Sequence, residues 1–182
     1  MRRRDLARLL PALPALGVLA PRRVRAADRA EIDQGVTDAV AHLRRMENAA
    51  PLFTRARAIL VFPRIVSGGF ILGGQYGEGA LLQGGRTRGY YSIAGASFGL
   101  LAGAQRGGLA MFFMTDDAIA ALVNADGWEI GTGPSVVALD RGLQANITAT
   151  TVLEPVYAIS FDQAGLMAAL ALNGTKISRI ER

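Results

Sequence analysis

The residues able to do chemistry in this chain are few. His42 is the single histidine among 182 residues and no cysteine occurs. That excludes disulfides, a cysteine nucleophile and metal sites built on histidine or thiolate. A Ser-His-Asp triad would have to form around His42, and no nucleophile elbow is expected to present a serine to it. On a helical wheel His42 falls at the edge of an apolar face, the place of a partly buried structural histidine. Asp116 and Asp117 are adjacent, but Thr115-Asp116-Asp117 reads as a helix cap. Asp140 and Asp162 fall in apparent turns, where aspartate bonds its own backbone. A carboxylate pair assembled by the fold, as in glycosidases, leaves a hydrolase as a third reading.

The glycines offer a second chemistry. The stretch 68–85, GGFILGGQYGEGALLQGG, holds eight glycines in eighteen residues, and Gly74-Gln75-Tyr76-Gly77-Glu78-Gly79 looks like a loop that cradles a phosphate. Such a loop needs a helix directly after the glycines, because the helix N-terminus holds the anion. Here GEGALLQGG continues as strand and no Gly-Lys-Ser/Thr follows, so the nucleotide reading fails. Gly95, Gly99 and Gly103 have the spacing of a membrane helix-packing motif. In a strand they share one face with Ser97 and Leu101 and make it smooth enough for close approach. Both groups predict a strongly curved sheet that encloses or half-encloses an apolar space.

What remains is cationic. Arg55, Arg57, Arg64, Arg86, Arg88 and Arg106 each fall in a loop, a turn or a strand end of the glycine-rich half. Singly they are solvated surface charge. Gathered on one rim of the sheet they would face an anionic membrane, at about 1 kcal/mol each.

The elements that must position these groups alternate irregularly. Ile32, Val36, Ala39, Val40, Leu43 and Met46 share one face of an amphipathic helix over 28–47, with its acids early and its arginines late. Such a helix covers a sheet or lies on a membrane. Pro51 opens a short helix, PLFTRARA, and DDAIAALVN at 116–124 is a further one. AILVF, stopped by Pro63, reads as a strand, followed by GGFILGG, GEGALLQGG, GYYSIAGASFGLLAGA and GGLAMFFM, with Gln105-Arg106-Gly107-Gly108 as the hairpin turn between the last two. GWEIG, SVVALD, TTVLEPVYAISF and LMAALAL look like later strands, with a tight turn at Asn173-Gly174. Regular strand–helix alternation is missing, which predicts a single α+β domain: a strongly curved, glycine-rich antiparallel sheet or partial barrel with an N-terminal amphipathic helix.

Residues 1–26 read as a signal peptide and not as fold. An arginine cluster precedes an apolar run from Leu9 to Ala20, and Val24-Arg25-Ala26 predicts cleavage after Ala26. Arg3-Arg4-Asp5-Leu6-Ala7-Arg8 resembles the twin-arginine export motif. The formal net charge of +5 counts seven of the 20 basic residues and one of the 15 acidic residues inside this segment. Residues 27–182 keep 13 basic and 14 acidic groups, a net of −1. Nucleic-acid binding loses its main support.

AILVFPRIVSGGFILGGQYGEGALL, YYSIAGASFGLLAGAQ, FMTDDAIAALVNADGWEIG and YAISFDQAGLMAALALNGTKI follow in that order. Together they resemble the SYLF domain, also called the Ysc84 actin-binding domain, in a bacterial exported form, over essentially all of 27–182. The resemblance implies a non-catalytic lipid-binding module. It implies membrane contact through the helix of 28–47 and through Gly68, Gly69 and Phe70 with Gly74, Gly77 and Gly79. Ser67 stands where many members carry lysine, and Tyr91-Ser92-Ile93 stands for their Trp-Ser before proline. An exported bacterial protein meets no actin, so actin binding is not expected.

The expectation is a periplasmic, cofactor-free module that binds anionic phospholipid at a membrane surface or in an apolar groove of its sheet. The alternative is an envelope-assembly module that binds a protein partner through the glycine-rich face.

Overall fold

The structure is a computed structural model that describes residues 27–47, 49–69, 72–98, 103–139, 153–161 and 174–182. The expected signal, Phe70, Asp140, Asp162 and the LMAALAL segment lie outside the described residues.

Two helices lead the chain, α1 (Arg29–Leu43) and α2 (Ala50–Arg55). Asp28 caps α1 by accepting from the Glu31 amide, and Pro51 sits in the first turn of α2, where its missing N–H costs nothing. The four long strands follow: β1 (Ala58–Gly69), β2 (Leu72–Gln83), β3 (Arg86–Phe98) and β4 (Gly103–Phe113). Helix α3 (Asp116–Asn124) starts at the Thr115 cap read from the sequence. The shorter strands are β5 (Trp128–Glu129), β6 (Val136–Leu139), β7 (Val156–Phe161) and β8 (Lys176–Ile180).

All eight strands form one sheet in the order β5-β8-β3-β2-β1-β4-β7-β6, curled into a half-barrel. The pairing is antiparallel throughout except for β6 and β7, which run parallel. The expected antiparallel sheet is therefore mixed at one edge.

Both faces of the sheet's first half are packed. Leu60, Phe62, Leu81, Ile93, Met111 and Phe113 point to one side, beneath α3 and Trp128. Val61, Ala80, Ala110, Phe112 and Ile159 point to the other, beneath Ile32, Val36, Ala39 and Leu43 of α1. The apolar face read at helical spacing thus covers the sheet.

Two punctuation signals mislead. Pro63 does not stop β1: the strand runs through it, and the register slips between Val61 and Arg64 on the β2 side and between Phe62 and Ile65 on the β4 side. A bulge is where a strand tolerates a residue without an N–H. Gln105-Arg106-Gly107-Gly108 is not a turn but part of β4. Gly108 is glycine because a Cβ there would stand 2.2 Å from the Phe161 ring.

The bulge also explains the glycines after it. A Cβ at Gly77 would stand 2.7 Å from the Arg64 carbonyl oxygen, and one at Gly79 2.0 Å from that of Val61. The bulged β1 backbone presses on β2, and only glycine leaves room. Gly84 and Gly85, at φ 58° and 75°, make the β2–β3 turn in the left-handed region that side chains avoid.

Candidate binding cleft and open sheet face

The four long strands outrun the helix that covers them. On the α1 side, register places Arg106, Val66, Tyr76, Ala94 and Lys176 in one row across β4, β1, β2, β3 and β8. Every member of that row is exposed, Val66 at 44% and Tyr76 at 41%. The next row carries Gly68, Gly74 and Ala96, also exposed. Arg106 and Lys176 therefore flank a strip of small and apolar residues on bare sheet, with the exposed Glu129 of β5 opposite Lys176 at the outer edge.

Between this strip and α1 lies a cleft of about 400 Å³. Helix positions 31, 35, 38 and 42 recur at steps of three and four, so Glu31, Gly35, Asp38 and His42 form one wall. Pro63, Arg64 and Val66 of β1 and Phe161 of β7 form the other. Gly35 lets the helix sit close, since a Cβ there would meet Pro63 at 3.0 Å. The His42 and Phe161 rings are 6.2 Å apart, so His42 is half-buried against an aromatic ring, as its place on the wheel predicts. Arg64 and Glu31 face each other across the cleft at 3.9 Å, both well exposed.

The inner end of the cleft is closed by a buried carboxylate that sequence reasoning missed. Glu78 is 8% exposed. Its Oε1 accepts from the Tyr76 hydroxyl and from Arg182 Nη2, each at 2.6 Å, and its Oε2 from the Ala27 amide at 3.1 Å. Burial pushes the Tyr76 hydroxyl up to about 12, helped by its hydrogen bond to Glu78 and that residue's charge. The available signal was one carboxylate alternating toward the helix side of an otherwise uncharged strand.

The six arginines do not share a rim. Arg57 precedes β1 and pairs with Asp116 at 2.5 Å. Arg55 ends α2, and Arg86 opens β3 opposite Gln83, itself opposite Ala58. With Arg88 they mark the Gly84-Gly85 end of the sheet. Arg64 and Arg106 lie beside the cleft, six residues farther along β1 for Arg64, or about 20 Å at the rise of a strand. Of the predicted set the structure brings Arg64, Arg106, Gly68 and Gly69 to the open end.

The catalytic signals gain nothing. Gly95-Ala96-Ser97-Phe98-Gly99 does spell Gly-x-Ser-x-Gly, contrary to the expectation that no such element exists. Ser97 nevertheless lies within β3, paired with Gly73, and not on the strand–turn–helix corner that exposes a nucleophile. Among the described residues no three His, Asp or Glu groups gather as a metal would require.

The stretch from Ala94 in the open row to Glu181, beside Arg182, matches the family model Ysc84, described as Las17-binding protein actin regulator, over residues 94–181. The chain is similar to the Ysc84 family over those 88 of its 182 residues. The match takes in the last five residues of β3, then β4 to β8 and α3. Its description is that of a binding protein. The matched span thus supplies Arg106 and Lys176 of the open row and Phe161 of the cleft, while α1, β1 and β2 complete the site from outside it. No curated protein matches the chain.

Proposed function

We propose that this chain is a non-catalytic phospholipid-binding module of the bacterial periplasm, docking on a membrane by the open end of its sheet. The row Arg106–Val66–Tyr76–Ala94–Lys176 carries the reading: a cation on β4 and another on β8, with apolar and small side chains between on bare sheet, and Glu129 of β5 opposite Lys176 at the outer edge. The resemblance to lipid-binding SYLF domains supports it, as does the leader read over 1–26. Gly68 and Gly69 of β1 lie beyond the row and bring backbone close to the surface; the resemblance adds Phe70.

Magnitudes decide how much this surface achieves. Two cations give about 2 kcal/mol at an anionic leaflet, and burying the exposed parts of Val66 and Tyr76 adds about 2 kcal/mol. The sum of about 4 kcal/mol corresponds to millimolar affinity. Surface contact alone is weak and salt-sensitive, so retention on a membrane calls for head-group capture in the cleft as well.

Vesicle co-flotation tests the reading. Anionic vesicles retain the protein at low salt and release it at high salt, while neutral vesicles retain less. Absence from every vesicle fraction, with one envelope protein co-purifying, overturns it in favour of a protein partner at the glycine-rich face.

A further inference from the structure

The cleft is not simply a basic pocket. Its strand wall carries Arg64, with Arg106 next to Val66 and the Glu78 carboxylate already paired with Arg182, whereas its helix wall carries Glu31 and Asp38. Opposite charges therefore face each other across a floor of Val66, Pro63 and Phe161. A purely anionic head group would meet repulsion from the helix wall.

The contact that spans the mouth is built to open. Arg64 and Glu31 are separated by 3.9 Å, with their side chains 67% and 59% exposed. An exposed pair at that distance is weakly held and exchanges readily for better partners. A ligand carrying both charges replaces it with two shorter contacts, anion to Arg64 and cation to Glu31.

We infer that the cleft takes the head group of a zwitterionic phospholipid whose cation is a primary amine: the phosphate toward Arg64, the ammonium toward Glu31 and Asp38, and the first acyl methylenes over Val66 and Phe161. The inference rests on the phospholipid reading above and deepens it by naming the head-group chemistry. The cation is an amine with N–H donors because two carboxylates on one helix face reward charge-assisted hydrogen bonds, which a quaternary ammonium cannot donate. Asp38 accepts one hydrogen bond, from Gln34 one turn earlier on α1, at 3.0 Å.

The test uses the chain purified from cells that export it, its N-terminus read by mass. Vesicles of fixed phosphatidylglycerol content are completed with either phosphatidylethanolamine or phosphatidylcholine. Binding to the ethanolamine vesicles is expected to be about tenfold tighter, the effect of roughly one charge-assisted hydrogen bond. Glu31→Gln with Asp38→Asn abolishes that preference. Soluble glycerophosphoethanolamine competes and glycerophosphocholine does not, which separates head-group capture from any effect of bilayer packing. Equal binding to both vesicle types with salt sensitivity intact, or no competition by either soluble head group, overturns the inference and leaves the phospholipid reading standing. No binding to any vesicle overturns both.

Discussion

The guanidinium of Arg182 lies 2.6 Å from the carboxylate of Glu78, and the two side chains are 21% and 6% exposed. This pair fastens the second residue after β8 to the middle of β2, 104 residues away. It also fixes the inner end of the cleft, because the same carboxylate holds Tyr76 and Ala27. Removing one member leaves the other buried without its counter-charge. Glu78→Ala is therefore expected to cost about 3 kcal/mol in urea unfolding, and Arg182→Ala about the same. The double variant should lose clearly less than the sum, since the two report one interaction. Strict additivity would show that the pair is not coupled.

Tyr76 gives the cluster a pH signature. Burial first, then the hydrogen bond to Glu78 and its charge, raise the hydroxyl from 10.0 to about 12, against an opposing pull from Arg182. A raised value means that the fold favours the protonated phenol. Its contribution to stability is complete below pH 10 and disappears as pH rises toward 12. Burial also raises Tyr90 and Tyr91, so the signature is read as a difference. Tyr76→Phe should lose less stability than the parent over that range and lack one late step in phenolate absorbance. Identical profiles would place the Tyr76 hydroxyl in water.

The glycines separate into those that the bulge requires and those that it does not. Gly79→Ala drives a methyl against the Val61 carbonyl, 2.0 Å away, and is expected to destabilise by about 3 kcal/mol or more. Gly77→Ala meets the Arg64 carbonyl at 2.7 Å and should behave alike. At Gly68 nothing lies within 4 Å of a Cβ, so Gly68→Ala should be neutral, or better by about 0.5 kcal/mol from the smaller entropy lost. Denaturant midpoints of the three variants check the ranking, and a Gly68 variant as damaged as Gly79→Ala would contradict it.

The same bulge shows what the sequence carries and what it withholds. The α1 face, the Thr115 cap and span of α3, and a sheet rich in glycine were legible because each rests on local periodicity or capping. Pro63 and Gly107-Gly108 were read as breaks because local chemistry makes proline and glycine punctuation. Their strand positions depend instead on partners far along the chain: Gly108 on Phe161, and Gly77 and Gly79 on the β1 backbone. The role of Glu78 was missed for the same reason: besides Tyr76, two residues away, its partners lie 51 and 104 residues away. Lone arginines carry no pattern, so six of them read as one set until register placed them at two ends.

That division of the arginines gives the most direct test of membrane docking by the open end of the sheet. Co-flotation with phosphatidylglycerol vesicles should compare Arg64→Ala with Arg106→Ala against a variant lacking Arg55, Arg57, Arg86 and Arg88. At about 1 kcal/mol per cation, loss of the first pair should weaken binding roughly thirtyfold. The other four lie about 20 Å away, beyond the Debye length of about 8 Å, and their removal should change binding by less than about threefold. If the four-arginine variant fails to float while the Arg64 and Arg106 variant floats normally, the protein meets the membrane by its other end.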